Sequence, residues 1–204
     1  MNFELTDNLF QVTILGFSAG AALVLALRRK SRLLLMLSLA YACFGLGTLY
    51  YVLHLAIVGD IPRVFYVSEV SWLASYLCLL SLQILRTEQL RLRVRPLPTA
   101  CAALTAALIL HLRMLGPSLL TSLLFALTLG AAVYLSVFRL QSSPAHRQTD
   151  ALLIACIALQ QLLFIVSTFL SDFTRFNLYF AVDIALTLSL AALLPLTLRE
   201  VTGK

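Results

Sequence analysis

Charge is scarce in this chain: only 12% of its 204 residues are charged, about half the share of a soluble domain. With 61% of the residues apolar, a single core of this size cannot hide them all, which excludes a water-soluble domain. Only Lys30 and Lys204 are lysine, so the last apolar run has no Schiff-base amine and retinal photochemistry is excluded. Cys43, Cys78, Cys101 and Cys156 all lie in apolar runs without a C-x-x-C spacing. That argues against a disulfide framework or a thiolate metal site and for inert buried thiols. No H-E-x-x-H is present, and neither a metal nor a cofactor is expected. The net charge of +6 lies in short arginine clusters between apolar runs rather than in a stripe, which argues against nucleic acid as a partner.

What the chain does contain is long apolar runs, at 8–27, 34–57, 64–85, 96–112, 117–138, 151–171 and 176–198. A helix needs about 20 residues to cross the hydrocarbon layer, and seven such spans leave no room for a separate soluble domain. The runs are continuously apolar rather than alternating, so they read as helices and not as strands of a closed barrel. The expected fold is an all-α membrane protein of seven transmembrane helices, a single integral domain over 1–204. The fourth run is the shortest, opening on Pro96 and Pro98 and ending near His111 and Arg113.

Lysine and arginine are distributed unevenly between the connections. Those after spans one, three, five and seven hold twelve, among them Arg28, Arg86, Arg139 and Arg199, against Arg63, Arg113 and Arg175 on the other side. By the positive-inside rule the N-terminus is outside and the C-terminus cytoplasmic. Glu4 and Asp7 occupy the leading residues that would be basic in a signal peptide, so the first segment reads as a true span. Gly16 and Gly20 give it a small-xxx-small face suited to close helix approach.

Sliding the chain on itself by 114 residues aligns Gly16 with Gly130, Tyr50 with Phe164, Phe65 and Tyr66 with Tyr179 and Phe180, Glu69 with Asp183, and Ser75 with Ser189. The match sets 8–85 on 117–198 and leaves 96–112 as a connector, a 3+1+3 plan. Three spans plus one connector restore the direction of the chain, so the two units are parallel repeats. This plan resembles that of the SWEET sugar transporters and the wider PQ-loop family. The resemblance lies in topology across nearly the whole chain. It implies a transporter whose third and seventh helices carry a paired polar residue facing a central cavity. Glu69 and Asp183 match those positions, with acids in place of the family's usual amides.

Ionisable groups inside a span are costly, about 2.5–3.5 kcal/mol on insertion scales, and point to function. Glu69 lies about 8 Å and Asp183 about 10 Å below the outer edge at 1.5 Å per residue. Glu69, Trp72 and Tyr76 share one helix face, as do Asp183 and Thr187. Tyr50, Tyr51 and His54 end span two at a similar depth, and Gln160 and Gln161 lie near the middle of span six. Together these residues describe an outward cavity with two acids, a histidine and aromatic walls. Each also has a structural reading. The tyrosines suit an interfacial belt and His54 a helix end, while the glutamines can be interhelical glue. The acids can pair with Arg63 or Arg175.

Two carboxyls held away from water retain a proton more readily than isolated ones in water. Such a site can couple proton movement to transport, or bind a small polar or cationic solute with help from aromatic faces. The first expectation is therefore a small-solute transporter, proton-coupled through Glu69 and Asp183, in the bilayer of a bacterial cytoplasmic membrane. The alternative is a seven-helix receptor or sensor subunit, alone or as a homo-oligomer, whose cytoplasmic partner docks on the basic loop Arg86–Arg95. An intramembrane hydrolase using the two acids as general acid and base is a third reading.

Overall fold

The computed structural model describes residues 3–59, 66–88, 90–91, 93–111, 119–143, 147–170, 173 and 175–203. Arg63, Phe65, Arg113 and Lys204 lie outside them. The described residues form seven helices and no strand: α1 (Phe3–Arg29), α2 (Arg32–Val58), α3 (Tyr66–Thr87), α4 (Pro96–His111), α5 (Leu119–Ser142), α6 (Arg147–Phe169) and α7 (Leu178–Thr202). Six of them are long and apolar enough to cross a membrane; α4, with 16 residues, is shorter. The fold is that of an integral membrane helical bundle. Phe17, Leu27, Ile57, Leu104 and Leu127 project from its outer surface, where hydrocarbon rather than water suits them.

Each helix follows its apolar run to within a few residues, but most extend into polar sequence. α1 starts before Glu4 and Asp7, and α6 starts before Asp150, because helical hydrogen bonding continues where hydropathy falls. Local chemistry sets several ends. Ser31 Oγ accepts from Leu34 N–H at the start of α2, and Gly59 ends that helix in the left-handed region at φ 77°. Asn177 Oδ1 accepts from the Tyr179 and Phe180 N–H groups at the start of α7. Pro96 and Pro98 sit in the first turn of α4, where the missing N–H groups would have had no helical partner.

The packed neighbours form a ring: α1 on α2, α2 on α3, α3 on α5, α5 on α6, α6 on α7, and α7 back on α1. α4 stands outside it against α5, and α2 reaches inward to α7. Two close approaches define the helix spacing. A Cβ on Gly47 would come within 3.0 Å of Ser71 Cβ and 3.1 Å of Trp72 Nε1, so α2 lies directly on α3. A Cβ on Gly130 would meet the Ala102 carbonyl at 3.3 Å, where α4 lies on α5. Gly16 and Gly20, expected to admit a neighbour, have nothing within 4 Å of such a Cβ. Among the described residues no helix uses that face, because α2 packs on the opposite side of α1 through Leu15, Ala22 and Ala26.

Side chains fill the middle of the ring. Tyr76, Tyr41, Phe44, Phe125, Leu129 and Leu186 are buried in one core. Two polar links cross it: Tyr76 Oη donates to Gln160 Oε1 at 2.9 Å, and Tyr41 Oη to the Leu190 carbonyl at 2.7 Å. The core separates two polar clusters, one at the end of the bundle where α1 and α7 begin, the other where α3, α5 and α7 finish. They are called here the amino and carboxyl ends.

Candidate functional site

At the amino end, Gln11 on α1 is the organising residue. Its Nε2 donates to Asp183 Oδ1 and to Thr187 Oγ1, both at 3.0 Å, and its Oε1 accepts from Thr48 Oγ1 on α2 at 2.6 Å. Asp183 and Thr187 therefore do share one face of α7, as their spacing suggests. One turn before Gln11, Asp7 brings its carboxyl within hydrogen-bonding reach of the Asp183 carboxyl. Both acids are buried. Asp7 Oδ2 receives no hydrogen bond from an N–H or hydroxyl among the described residues, and no basic side chain there pairs with either acid. Two carboxyls can share a hydrogen bond only when one of them carries a proton. The rings of Phe3, Phe173, Tyr179 and Phe180 pack edge to face beyond the pair, 4.7–6.4 Å between centroids.

The partner of Asp183 is thus Asp7, on a helix the sequence reading had not connected to it; no hydrogen bond or ion pair joins Glu69 to Asp183. Glu69 is buried in the first turn of α3, and its Oε2 has no partner among the described residues. Nearby on the same helix, Trp72 lays its indole against Gly47, with Nε1 also unpartnered, and Ser68 Oγ donates to the Gly47 carbonyl at 3.0 Å. Arg175 is exposed and makes no ion pair with either acid among the described residues. Tyr76 and Gln160 meet each other in the centre, below the acids. His54 stacks on Tyr50 at 6.2 Å and forms no link to the cluster. Gln161 reaches the Thr105 carbonyl of α4 at 3.5 Å, acting as interhelical glue.

The carboxyl end holds a second cluster that hydropathy did not reveal. Arg86 on α3 donates from Nη1 to Asp150 on α6 at 2.6 Å and to Gln83 Oε1 at 2.7 Å. It also grips both carboxylate oxygens of Glu200 on α7, at 2.6 and 2.9 Å. Arg139 on α5 approaches Asp150 at 3.3 Å and donates to the Arg86 carbonyl. Gln83 Nε2 completes the set, donating to Ser136 at 2.8 Å and Asp150 at 3.0 Å. Two guanidiniums face two carboxylates, and all are buried. Arg86 is consequently not on the basic loop surface Arg86–Arg95; Arg91 and Arg93 are exposed, and Arg95 lies over the Phe138 ring at 5.1 Å. The sequence signals for these residues are Asp7 and Gln11 at i, i+4, Gln83 and Arg86 at i, i+3, and, at long range, Arg86 and Glu200 separated by 114.

The two clusters differ in what they can do. The carboxyl-end cluster pairs its charges internally, whereas the amino-end acids have no cation partner among the described residues, an arrangement suited to protons or a positively charged group. Comparison with protein-family models, with curated proteins and with solved structures returns no match.

Proposed function

We propose that this protein is a small-solute membrane transporter coupled to protons through its buried acids, with Asp7 and Asp183 as the proton-holding pair. The observation that carries the reading is the close approach of these two buried carboxyls, with no basic side chain paired to either among the described residues. Loss of the shared proton leaves two adjacent carboxylates, which repel each other and attract a cation; return of the proton releases it. Gln11, Thr48 and Thr187 orient the pair, and Glu69 with Trp72 supplies a further acid and indole at the same end for a small polar or cationic solute.

The reading takes all seven helices as spans, with the N-terminus outside and the C-terminus in the cytoplasm. α4 is about 24 Å long at 1.5 Å per residue, close to the hydrocarbon thickness. Its beginning is tied to the end of α5 by the bond from Tyr134 to the Arg93 carbonyl, which supports a course back across the bundle. The reading keeps a SWEET-like plan of two parallel units, 8–85 and 117–198. Exchanging the units converts the α3–α5 interface into the α7–α1 interface, and both exist. A bacterial cytoplasmic membrane fits the arginine bias.

The test is uptake by proteoliposomes under an imposed pH gradient, across a panel of small amines and polar solutes. Asp7→Asn and Asp183→Asn are expected to abolish the pH dependence while leaving the protein folded. Unchanged pH-dependent uptake of every solute in both variants would remove proton coupling from the proposal.

A further inference from the structure

The carboxyl-end cluster has no ligand-binding role in the transport reading, yet it occupies a distinctive place. Among the described residues α3 packs mainly on α2 and α5, and Arg86 is bonded to α6 and α7 through Asp150 and Glu200. Its side chain therefore reaches across the interior of the ring. Arg139, bonded to Asp150 and to the Arg86 carbonyl, draws α5 into the same knot. We propose that this knot is a gate: Arg86, Asp150 and Glu200 close the ring axis at its carboxyl end, and solute leaves on that side when they part.

Three observations carry the inference. The cluster is neutral and internally satisfied, so it has no spare charge with which to hold a solute, and closure is the action left to it. Buried ion pairs contribute little net stability compared with apolar residues of the same size. A leucine seal would close the axis as well, but its parted faces would be poorly hydrated, whereas guanidinium and carboxylate groups regain water as they separate. Finally, polar groups continue inward from the knot. Gln83 and Ser136 bond to each other at 2.8 Å, and the fully buried Thr197 hydroxyl, one turn before Glu200, has no partner among the described residues. A polar interior behind a polar knot suits a path that is wetted when open.

The gate rests on the transport reading for what passes through it, but its opening can be measured without any solute. Thr197→Cys is introduced with the four native cysteines replaced, and a membrane-impermeant thiol reagent is applied separately to each face of sealed vesicles. The expected result is slow labelling in the otherwise native chain. Glu200→Gln should raise labelling from the carboxyl-end face about tenfold, and Arg86→Lys, which keeps the charge but loses the fork, should raise it less. The fourfold change Arg86→Met, Arg139→Leu, Asp150→Leu and Glu200→Leu, which leaves no unpaired charge in the knot, should keep labelling slow and stop uptake. Unchanged labelling in monodisperse Glu200→Gln and Arg86→Lys overturns the gate. So does loss of both variants from the membrane, which would make the knot a folding clamp. Faster labelling with no uptake of any solute would leave the gate standing and remove the transport reading; pH-dependent uptake without any labelling change would do the reverse.

Discussion

The Arg86 guanidinium meets both carboxylate oxygens of Glu200, Nη2 at 2.6 Å and Nε at 2.9 Å, and the two residues are 114 positions apart in the chain. That separation equals the 114-residue offset of the proposed repeat. In a symmetric pair of identical units, equivalent residues that meet at the axis are identical, and two arginines there would repel. Under the proposed duplication, opposite charges at the two positions turn the same approach into a bidentate ion pair.

Removing one partner from this knot should be expensive. Arg86→Ala leaves Glu200 buried without its fork, and a cost of about 3–5 kcal/mol is expected. Thermal unfolding of the purified protein in detergent should show a markedly lower Tm. Arg86→Met combined with Glu200→Leu should lose less than half as much, because no uncompensated charge remains on that pair.

Gln11 joins three helices through one amide. Gln11→Leu removes the donor to Asp183 and Thr187 and the acceptor for Thr48, and should lower stability by about 2–3 kcal/mol. In the same detergent melts, a change below about 0.5 kcal/mol would mean that water replaces the amide without loss.

Gly47 is where α2 comes closest to α3, and the sole tryptophan lies over it. Gly47→Val should push the helices apart at a cost of about 1–3 kcal/mol and loosen the packing of Trp72. A red shift of the intrinsic fluorescence reports the change directly; an unaltered spectrum with native stability would contradict the contact.

His54 and Gln161 serve as controls. His54→Ala should leave both stability and pH-dependent uptake within error of the native protein, since among the described residues its ring stacks on Tyr50 and has no bond to the acids. Gln161→Leu should weaken the hold on α4 by about 1 kcal/mol without altering the pH dependence.

Much of the architecture was legible from the sequence because apolar runs must become helices in hydrocarbon, where each backbone group needs a partner within its own segment. The Asp183–Thr187 pairing was legible for a similar reason, since residues four apart share a helix face. The identity of Asp183's partner was not. Asp7 looks like a polar leader before an apolar run, and its 176-residue separation from Asp183 leaves no local pattern to detect. Asp150 and Glu200 likewise read as edge charges, although both are buried.

The sequence by itself determined that the chain belongs in a bilayer, where its helices run, and that acids inside or near them are the residues to follow. These follow from local energetics: hydropathy, helix period and the cost of charge in hydrocarbon. Only the tertiary structure decided which acids meet. Ring closure of α7 on α1 sets Asp7 beside Asp183, the approach of α3, α5, α6 and α7 at the carboxyl end gathers Arg86 with Asp150 and Glu200, and Glu69 Oε2 has no partner among the described residues. Such meetings depend on how helices are ordered and rotated about one another, which is set by packing over the whole bundle and not by any one segment.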